Sequence, residues 1–197
     1  MSEASFAQLT IEAFCGRLAS GESTPGGGAA AGLMARLAAD LVQMVCHHTI
    51  GRPRYAAVEE RVTAIRDQAA RLGAEATRLM DADSAAFRDV SAAYKLPKDA
   101  EGRAQRVSDA CKVATEVPLA VIRAAAQLSA LADEVASIGN RSLGTDARTA
   151  KVAALAAADA SHGNVKANRA SILDTAWADR VAGEAEQLLA GMRAAPG

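Results

Sequence analysis

Apolar residues recur at alternating steps of four and three along the segment 55–94, which contains no proline and, apart from Gly73, no glycine. Such steps place side chains on one face of an α-helix, in the heptad pattern of helices that pack along a shared seam. The pattern predicts one helix of about 40 residues, about 60 Å long at 1.5 Å per residue. The ten seam positions are Val58, Val62, Ile65, Ala69, Leu72, Ala76, Leu79, Asp83, Ala86 and Val90.

Glycine and proline divide the rest of the chain into further helical segments. A helix beginning near Asp99 and ending at Ile138 contains Pro118, which we expect to kink or split it. We interpret residues 1–197 as a single all-α domain, an up-and-down antiparallel bundle of about five long helices, one broken at a proline. The other predicted helices are a short one over 5–20, a central buried one from Ala29 to Thr49, one that begins at Thr145 or Asp146, and one over 174–192.

The composition favours an all-helical fold. Aromatic residues make up only 3% of the chain, whereas alanine accounts for about a quarter of it. Alanine has the highest helix propensity, and β-sheets need the branched and aromatic residues that are scarce here. Because each alanine buries little area, the core of one chain is thin, and we expect the helices to pack against a second copy.

Charge and cysteine content restrict the classes of partner and the compartment. The formal net charge is −1, so we expect no binding to nucleic acid or to an anionic membrane. The three cysteines show no C-x-x-C spacing, which predicts neither a disulfide framework nor a zinc site. With no signal-peptide pattern and no apolar run of membrane-spanning length, we expect a cytoplasmic protein.

Asp83 is the only polar residue at the ten seam positions. Burying a carboxylate without a partner costs several kcal/mol, so another group must meet it. In a structural interpretation Asp83 bonds a neighbouring helix end or fixes the register. In a functional one, its apolar surroundings raise its pKa and it serves as general acid or base near neutral pH. Asp81 lies off the seam, and we expect it to be solvated.

Three consecutive glycines follow Thr24 and Pro25. Thr24 is a good N-cap and proline suits the first helical position, so the glycines are predicted to occupy the first turn of the helix. Each costs up to ~1 kcal/mol relative to alanine there. Either a helix crossing needs the close approach, or the bare backbone N–H groups bind an anion or a flat ligand. The glycines Gly26, Gly27 and Gly28 and the adjoining Pro25 are therefore candidate binding residues.

Polar residues in the C-terminal half form a further candidate set. Asn140 and Asp146 share one predicted loop, and Asn164 and Asn168 share a helix face at i, i+4 spacing, although loop asparagines commonly only form turns. Arg54, near another loop, is a candidate for binding a carboxylate-bearing ligand. The chain has no Glu-x-x-His motif, and we expect no metal or other cofactor.

Several segments in order along the chain resemble the cyclodeaminase/cyclohydrolase family, which includes the cyclodeaminase half of formiminotransferase-cyclodeaminase and the bacterial methenyltetrahydrofolate cyclohydrolases. The combination of Thr-Pro-Gly-Gly-Gly with Asp-x-x-x-Phe is the specific part, and the similarity extends from about residue 11 to about residue 189. The segments are 18–28 (LASGESTPGGG), 44–51 (MVCHHTIG), 83–87 (DSAAF), 93–98 (AYKLPK) and 115–119 (TEVPL), with Gly139, Asn140 and Asp146.

The resemblance implies a helical bundle, a homodimer and a site for a tetrahydrofolate derivative. It assigns proton transfer to Asp83, places the glycine backbone against the ligand, gives Asn140 and Asp146 a role in the pocket, and lets Phe87 shield Asp83 from water. The implied activity is hydrolysis of 5,10-methenyltetrahydrofolate to 10-formyltetrahydrofolate. The alternatives are formiminotetrahydrofolate cyclodeaminase activity, which passes through a similar tetrahedral carbon, and a catalytically silent helical folate-binding or interaction protein.

Overall fold

The computed structural model describes residues 5–194, and every regular element in that range is helical. Five long helices follow a short N-terminal one, which confirms the predicted fold class. A short 3-10 turn at Phe6–Gln8 precedes the first helix, and two others, Pro53–Val58 and Arg141–Leu143, lie in connections between helices. The helices are α1 (Ile11–Leu18), α2 (Gly27–His47), α3 (Glu59–Lys95), α4 (Arg103–Ile138), α5 (Gly144–Arg169) and α6 (Thr175–Ala194).

Helices α2 to α5 form an antiparallel four-helix bundle. The central helix α2 packs against α3, α4 and α5, and α6 covers α4 and α5 from outside. The predicted seam of α3 faces this core, because its apolar positions between Val62 and Leu79 are almost completely buried. Alanine fills much of the interior, so the backbones approach closely: a Cβ on Gly32 of α2 would lie 2.8 Å from Met80 Cγ of α3.

The helices of the bundle differ greatly in length. At 1.5 Å per residue, the 37 residues of α3 and the 36 of α4 correspond to about 55 Å each, whereas the 21 residues of α2 reach only about 31 Å. The C-terminal part of α3 and the N-terminal part of α4 therefore extend beyond the start of α2. A second small apolar cluster, which includes Val107, Cys111 and Ile172, holds this extension together.

Helix α4 is not split at Pro118, which was one of the two predicted outcomes, a kink or a split. The helix continues from Arg103 to Ile138 with Pro118 buried inside it. Proline removes the N–H that would bond the carbonyl of Ala114, four residues earlier. The side-chain amide of Asn168 in α5 replaces it, since Asn168 Nδ2 donates to that carbonyl at 2.9 Å. An external donor thus satisfies the freed carbonyl within a continuous helix.

The N-terminal segment differs from the single helix predicted over 5–20. It contains a 3-10 turn and then α1, whose N-cap Thr10 accepts a hydrogen bond from the N–H of Ala13. We predicted that Asp81 is solvated. Instead, its Oδ1 accepts a hydrogen bond from the N–H of Phe6 at 2.9 Å. This contact joins residues 75 positions apart and fastens the N-terminal segment to α3.

Within residues 5–194, α2 is the one helix long and apolar enough to cross a membrane by length and composition. We expected no stretch of this kind. Half of the stretch is buried inside the bundle, so the packing of a central helix accounts for its apolar character.

Candidate active site

A cavity of about 330 Å³ lies where α2 begins and where α3 and α4 extend past it. The first turn of α2 forms one wall, the segment 83–90 of α3 forms another, and the C-terminal end of α5 completes it together with Ala114 of α4. Among the described residues of this lining, Asp83 is the only one with an ionisable side chain. The lining residues are Ser23, Thr24, Gly26, Gly27, Gly28, Asp83, Ala86, Phe87, Val90, Ala114, Asn164, Ala167 and Asn168.

The start of α2 lies slightly later in the chain than predicted. Gly26, not Thr24, is the N-cap residue, and it provides no side-chain hydrogen bond. Pro25 therefore precedes the helix, where it is buried, and only Gly27 and Gly28 belong to the first turn. The first N–H groups of a helix have no intrahelical partner, and the helix dipole favours negative charge beside them.

The three glycines differ in the space that surrounds them. A Cβ on Gly28 would lie 1.9 Å from Asp83 Oδ1, so only glycine allows this carboxyl group to rest against the helix. A Cβ on Gly26 or Gly27 would meet no atom of the chain within 4 Å. Packing inside the chain therefore explains Gly28 but not the other two glycines, which border the cavity.

Asp83 is half-buried and in contact with the first turn of α2. Desolvation by burial raises the pKa of its carboxyl group, and a hydrogen bond from the N–H of Ala29 lowers it in part. The structural and functional interpretations are thus compatible, because the carboxyl group bonds a neighbouring helix end while it also faces the cavity. Its environment is that of a general acid or base working closer to neutral pH than an ordinary aspartate.

Phe87 and Asn164, two of the predicted binding residues, also border the cavity, and their role in binding stays a prediction. Phe87 lies one turn after Asp83 in α3, and 48% of it remains exposed to solvent. It therefore provides an accessible flat apolar surface that borders the cavity.

Asn140, Asp146 and Arg54 lie at the opposite end of the bundle. Asn140 Nδ2 donates to the carbonyl of His48, which is the C-cap residue of α2. Since α2 is about 31 Å long, this position is far from Asp83 within one chain. Asp146 belongs to the first turn of α5, and Arg54 covers the ring of Tyr55 at the same end.

The role of Asn140 in the chain is a local structural one. Its Oδ1 accepts a hydrogen bond from the N–H of Ser142 and so caps the 3-10 turn that precedes α5. Its own N–H donates to Thr49 Oγ1 at 3.0 Å. These bonds join the end of α2 to the α4–α5 connection, and α5 itself begins at Gly144, before the predicted Thr145 or Asp146.

Contacts from α5 and the following turn to α4 fix the remaining wall of the cavity. Besides the bond from Asn168 to Ala114, the N–H of Leu173 donates to Ser108 Oγ at 3.0 Å. The sequence placed Asn168 beside Asn164 but did not identify α4 as its partner. The only available signal was Pro118, whose missing N–H implies a free carbonyl at Ala114.

The described part of the chain contains no group of three or more His, Cys, Asp or Glu side chains that could hold a metal ion. Cys46 is buried among apolar neighbours, and this burial raises the pKa of its thiol to about 12. A thiol with this pKa is inert as a nucleophile near neutral pH. Among the described residues that line the cavity, the groups available for chemistry are Asp83, the backbone of α2 and uncharged polar side chains.

Comparison with known proteins identifies the family. The sequence model that describes the formiminotransferase-cyclodeaminase family matches residues 10–187, which is nearly the whole chain. The chain belongs to this family. Within the family, a methenyltetrahydrofolate cyclohydrolase from Methylorubrum extorquens is 38% identical over 185 residues, which cover 92% of this chain and 89% of that protein.

Two other relatives of the formiminotransferase-cyclodeaminase family carry cyclodeaminase names. The formimidoyltransferase-cyclodeaminase of Rattus norvegicus is 28% identical over 191 residues, which cover 95% of this chain but only 35% of the longer rat protein. The crystal structure of formiminotetrahydrofolate cyclodeaminase from Thermotoga maritima superposes with a TM-score of 0.89 at 27% identity, over 95% of this chain and 91% of that one. The bundle is therefore the fold of this family.

Proposed function

We propose that this protein is a methenyltetrahydrofolate cyclohydrolase, which hydrolyses 5,10-methenyltetrahydrofolate to 10-formyltetrahydrofolate. One observation carries the proposal: the half-buried carboxyl group of Asp83 rests on the first turn of α2 in a cavity that contains no other ionisable side chain. The 38% identity to the cyclohydrolase of Methylorubrum extorquens supports the choice of reaction.

In this reaction, water adds to the carbon that bridges N5 and N10 of the cationic substrate. Asp83 takes one proton from the water while the oxygen of the water bonds to that carbon. Asp83 later releases this proton to solvent. Breaking the bond between the carbon and N5 transfers the hydroxyl proton to N5 and leaves the formyl group on N10. A positioned general base typically accelerates such a step ~10²–10⁴-fold.

The surroundings of Asp83 fit these steps. The N–H of Ala29 orients the carboxylate, while the cationic substrate attracts it more strongly in a partly desolvated cavity than in water. The N–H groups in the first turn of α2 stabilise negative charge that develops on the oxygen of the attacking water. Gly26 and Gly27 leave room for a flat pterin ring against the backbone, and Phe87 offers an aromatic surface beside it.

Formiminotetrahydrofolate cyclodeaminase activity is the second candidate. The observation that favours it is the structural match to the Thermotoga maritima cyclodeaminase. In that reaction N10 closes onto the formimino carbon attached to N5 and ammonia leaves, so the tetrahedral carbon lies between the same two nitrogens. A carboxyl group in the position of Asp83 can transfer protons in either reaction.

Two assays on the same preparation separate the candidates. Purified protein is expected to accelerate the loss of methenyltetrahydrofolate absorbance above its spontaneous hydrolysis. Ammonia release from formiminotetrahydrofolate is measured in parallel. Ammonia release without cyclohydrolase activity would replace the first proposal with the second, and inactivity of a folded protein in both assays would indicate a catalytically silent binding protein.

A pair of aspartate variants tests the role of Asp83. Asp83→Asn keeps an acceptor for the N–H of Ala29 but cannot take a proton, and we expect at least a ~10²-fold loss of kcat. Asp81→Asn is the matched control, because it removes the same charge two residues away and keeps an acceptor for Phe6. Full activity of Asp83→Asn would refute the proposed role.

We further propose that the protein acts as a cytoplasmic homodimer that needs neither a metal nor a redox cofactor. On α2, Leu37 is 50% exposed, and Leu41 and Met44 follow it by four and seven residues on the same face. This apolar row, in a bundle whose alanines bury little area, supports contact with a second copy. Light scattering is expected to give twice the chain mass, and Leu37→Glu is expected to lower it.

A further inference from the structure

Pro118 creates a hydrogen-bond acceptor at the wall of the cavity. Because proline has no N–H, the carbonyl of Ala114 lacks the donor that every other residue type would supply within α4. Asn168 Nδ2 occupies that place at 2.9 Å, and both Ala114 and Asn168 line the cavity that contains Asp83. The N–H that α4 lacks at Pro118 thus leaves a carbonyl that holds the side chain of Asn168 in α5.

This bond fixes the orientation of the Asn168 amide. Only the NH₂ end of an amide can donate to a carbonyl, so the two ends of the side chain are distinguished. One N–H is used by Ala114, and the amide retains a second N–H and the acceptor Oδ1. The bond from Leu173 to Ser108 fastens the turn that follows α5 to the same helix, α4. The donor–acceptor pair is therefore held in place before a ligand arrives.

We propose that Asn168 is a substrate-positioning residue that binds the amide-like edge of the ligand's pterin ring, where an N–H lies beside a carbonyl. This proposal rests on the proposed function and names a further residue for the same site. An amide complements such an edge by accepting with Oδ1 and donating with N–H. Asn168 then orients the ring, while Asp83 transfers the proton.

The test measures binding and stability of three variants: Asn168→Ala, Pro118→Ala and the double variant. The probe is 5-formyltetrahydrofolate, a stable compound with the same ring, titrated by calorimetry. We expect Asn168→Ala to weaken binding about tenfold and to raise KM with kcat changed less than about threefold. It is also expected to lower the Tm, because the carbonyl of Ala114 loses its partner.

The double variant separates a positioning role from a purely structural one. Pro118→Ala supplies an N–H at position 118 that bonds the carbonyl of Ala114 again, so we expect the Tm lost in Asn168→Ala to return. Binding is not expected to return, because the amide is still absent. In the single variant Pro118→Ala, the new N–H competes with Asn168 for the carbonyl of Ala114. We expect this variant to bind the probe about threefold more weakly without a lower Tm.

Two results would overturn the inference while leaving the proposed function intact. One is unchanged affinity in Asn168→Ala, and the other is recovery of affinity together with Tm in the double variant. If the wild-type protein binds no 5-formyltetrahydrofolate and hydrolyses no methenyltetrahydrofolate, the proposed function itself fails, and the role of Asn168 fails with it.

Discussion

Gly28→Ala is the change that tests the geometry of the site most directly. The added Cβ would lie 1.9 Å from Asp83 Oδ1 and 2.2 Å from its Cγ. Non-bonded carbon atoms in proteins do not approach closer than about 3 Å, so the carboxyl group must retreat by about 1 Å. Misplacing a catalytic group by this distance costs about 10²-fold, and we expect kcat/KM to fall by that factor.

The fold of Gly28→Ala is expected to survive. The displaced atoms belong to the end of a side chain, and alanine favours the helix by up to ~1 kcal/mol, which offsets a weakened bond to Ala29 worth about 1 kcal/mol. Chemical denaturation should therefore give a free energy of unfolding within about 1 kcal/mol of wild type.

Gly183→Ala is the matched control for this experiment. A Cβ at Gly183, inside α6, meets no atom within 4 Å, so the variant should be slightly more stable and fully active. If Gly28→Ala retained wild-type kcat/KM, the contact between Asp83 and α2 would have no part in catalysis.

Three further predictions concern Asp83 and a tight contact at the opposite end of the bundle. Burial raises the pKa of Asp83 above 3.8, the ordinary pKa of an aspartate, so the midpoint of the acid limb of the profile of kcat/KM against pH should lie above pH 3.8. A midpoint below pH 3.8 would contradict the role of Asp83 as the base. Asp83→Asn should have a higher Tm than wild type at neutral pH, and the difference should shrink as pH falls through the raised pKa, because protonation then relieves the buried charge in wild type. Gly139→Ala should lose about 1–3 kcal/mol of stability in denaturant titrations, because its Cβ would lie 2.5 Å from the carbonyl oxygen of Val135, whereas kcat/KM should stay unchanged at the distant site.

The elements of the site that the sequence predicted correctly are those encoded by local spacing. The seam placed Asp83 on the buried face of α3, and the glycines marked the beginning of α2. Both depend on residues close together in the chain, where helical periodicity determines which side chains share a face.

Other parts depend on contacts that local spacing cannot show. Within one chain, the antiparallel course of the helices takes Asn140 and Asp146, which the sequence offers as binding residues, to the end of the bundle opposite the cavity; their binding role stays a prediction. The partners of Asp81 and of Asn168 lie 75 and 54 positions away. The N-cap at Gly26 has no side-chain signal at all, since its hydrogen-bonding groups belong to the backbone.

The short first helix of the core determines how much room a ligand has. Its neighbours α3 and α4 pass its starting point, so the position at which α2 begins, together with the preceding residues Ser23 and Thr24, sets the depth of the cavity. Each helical turn adds or removes about 5.4 Å of depth. Shortening α2 by one turn at its start would enlarge the cavity, but it would also remove the turn against which Asp83 rests, so the size of the cavity and the environment of this carboxyl group change together.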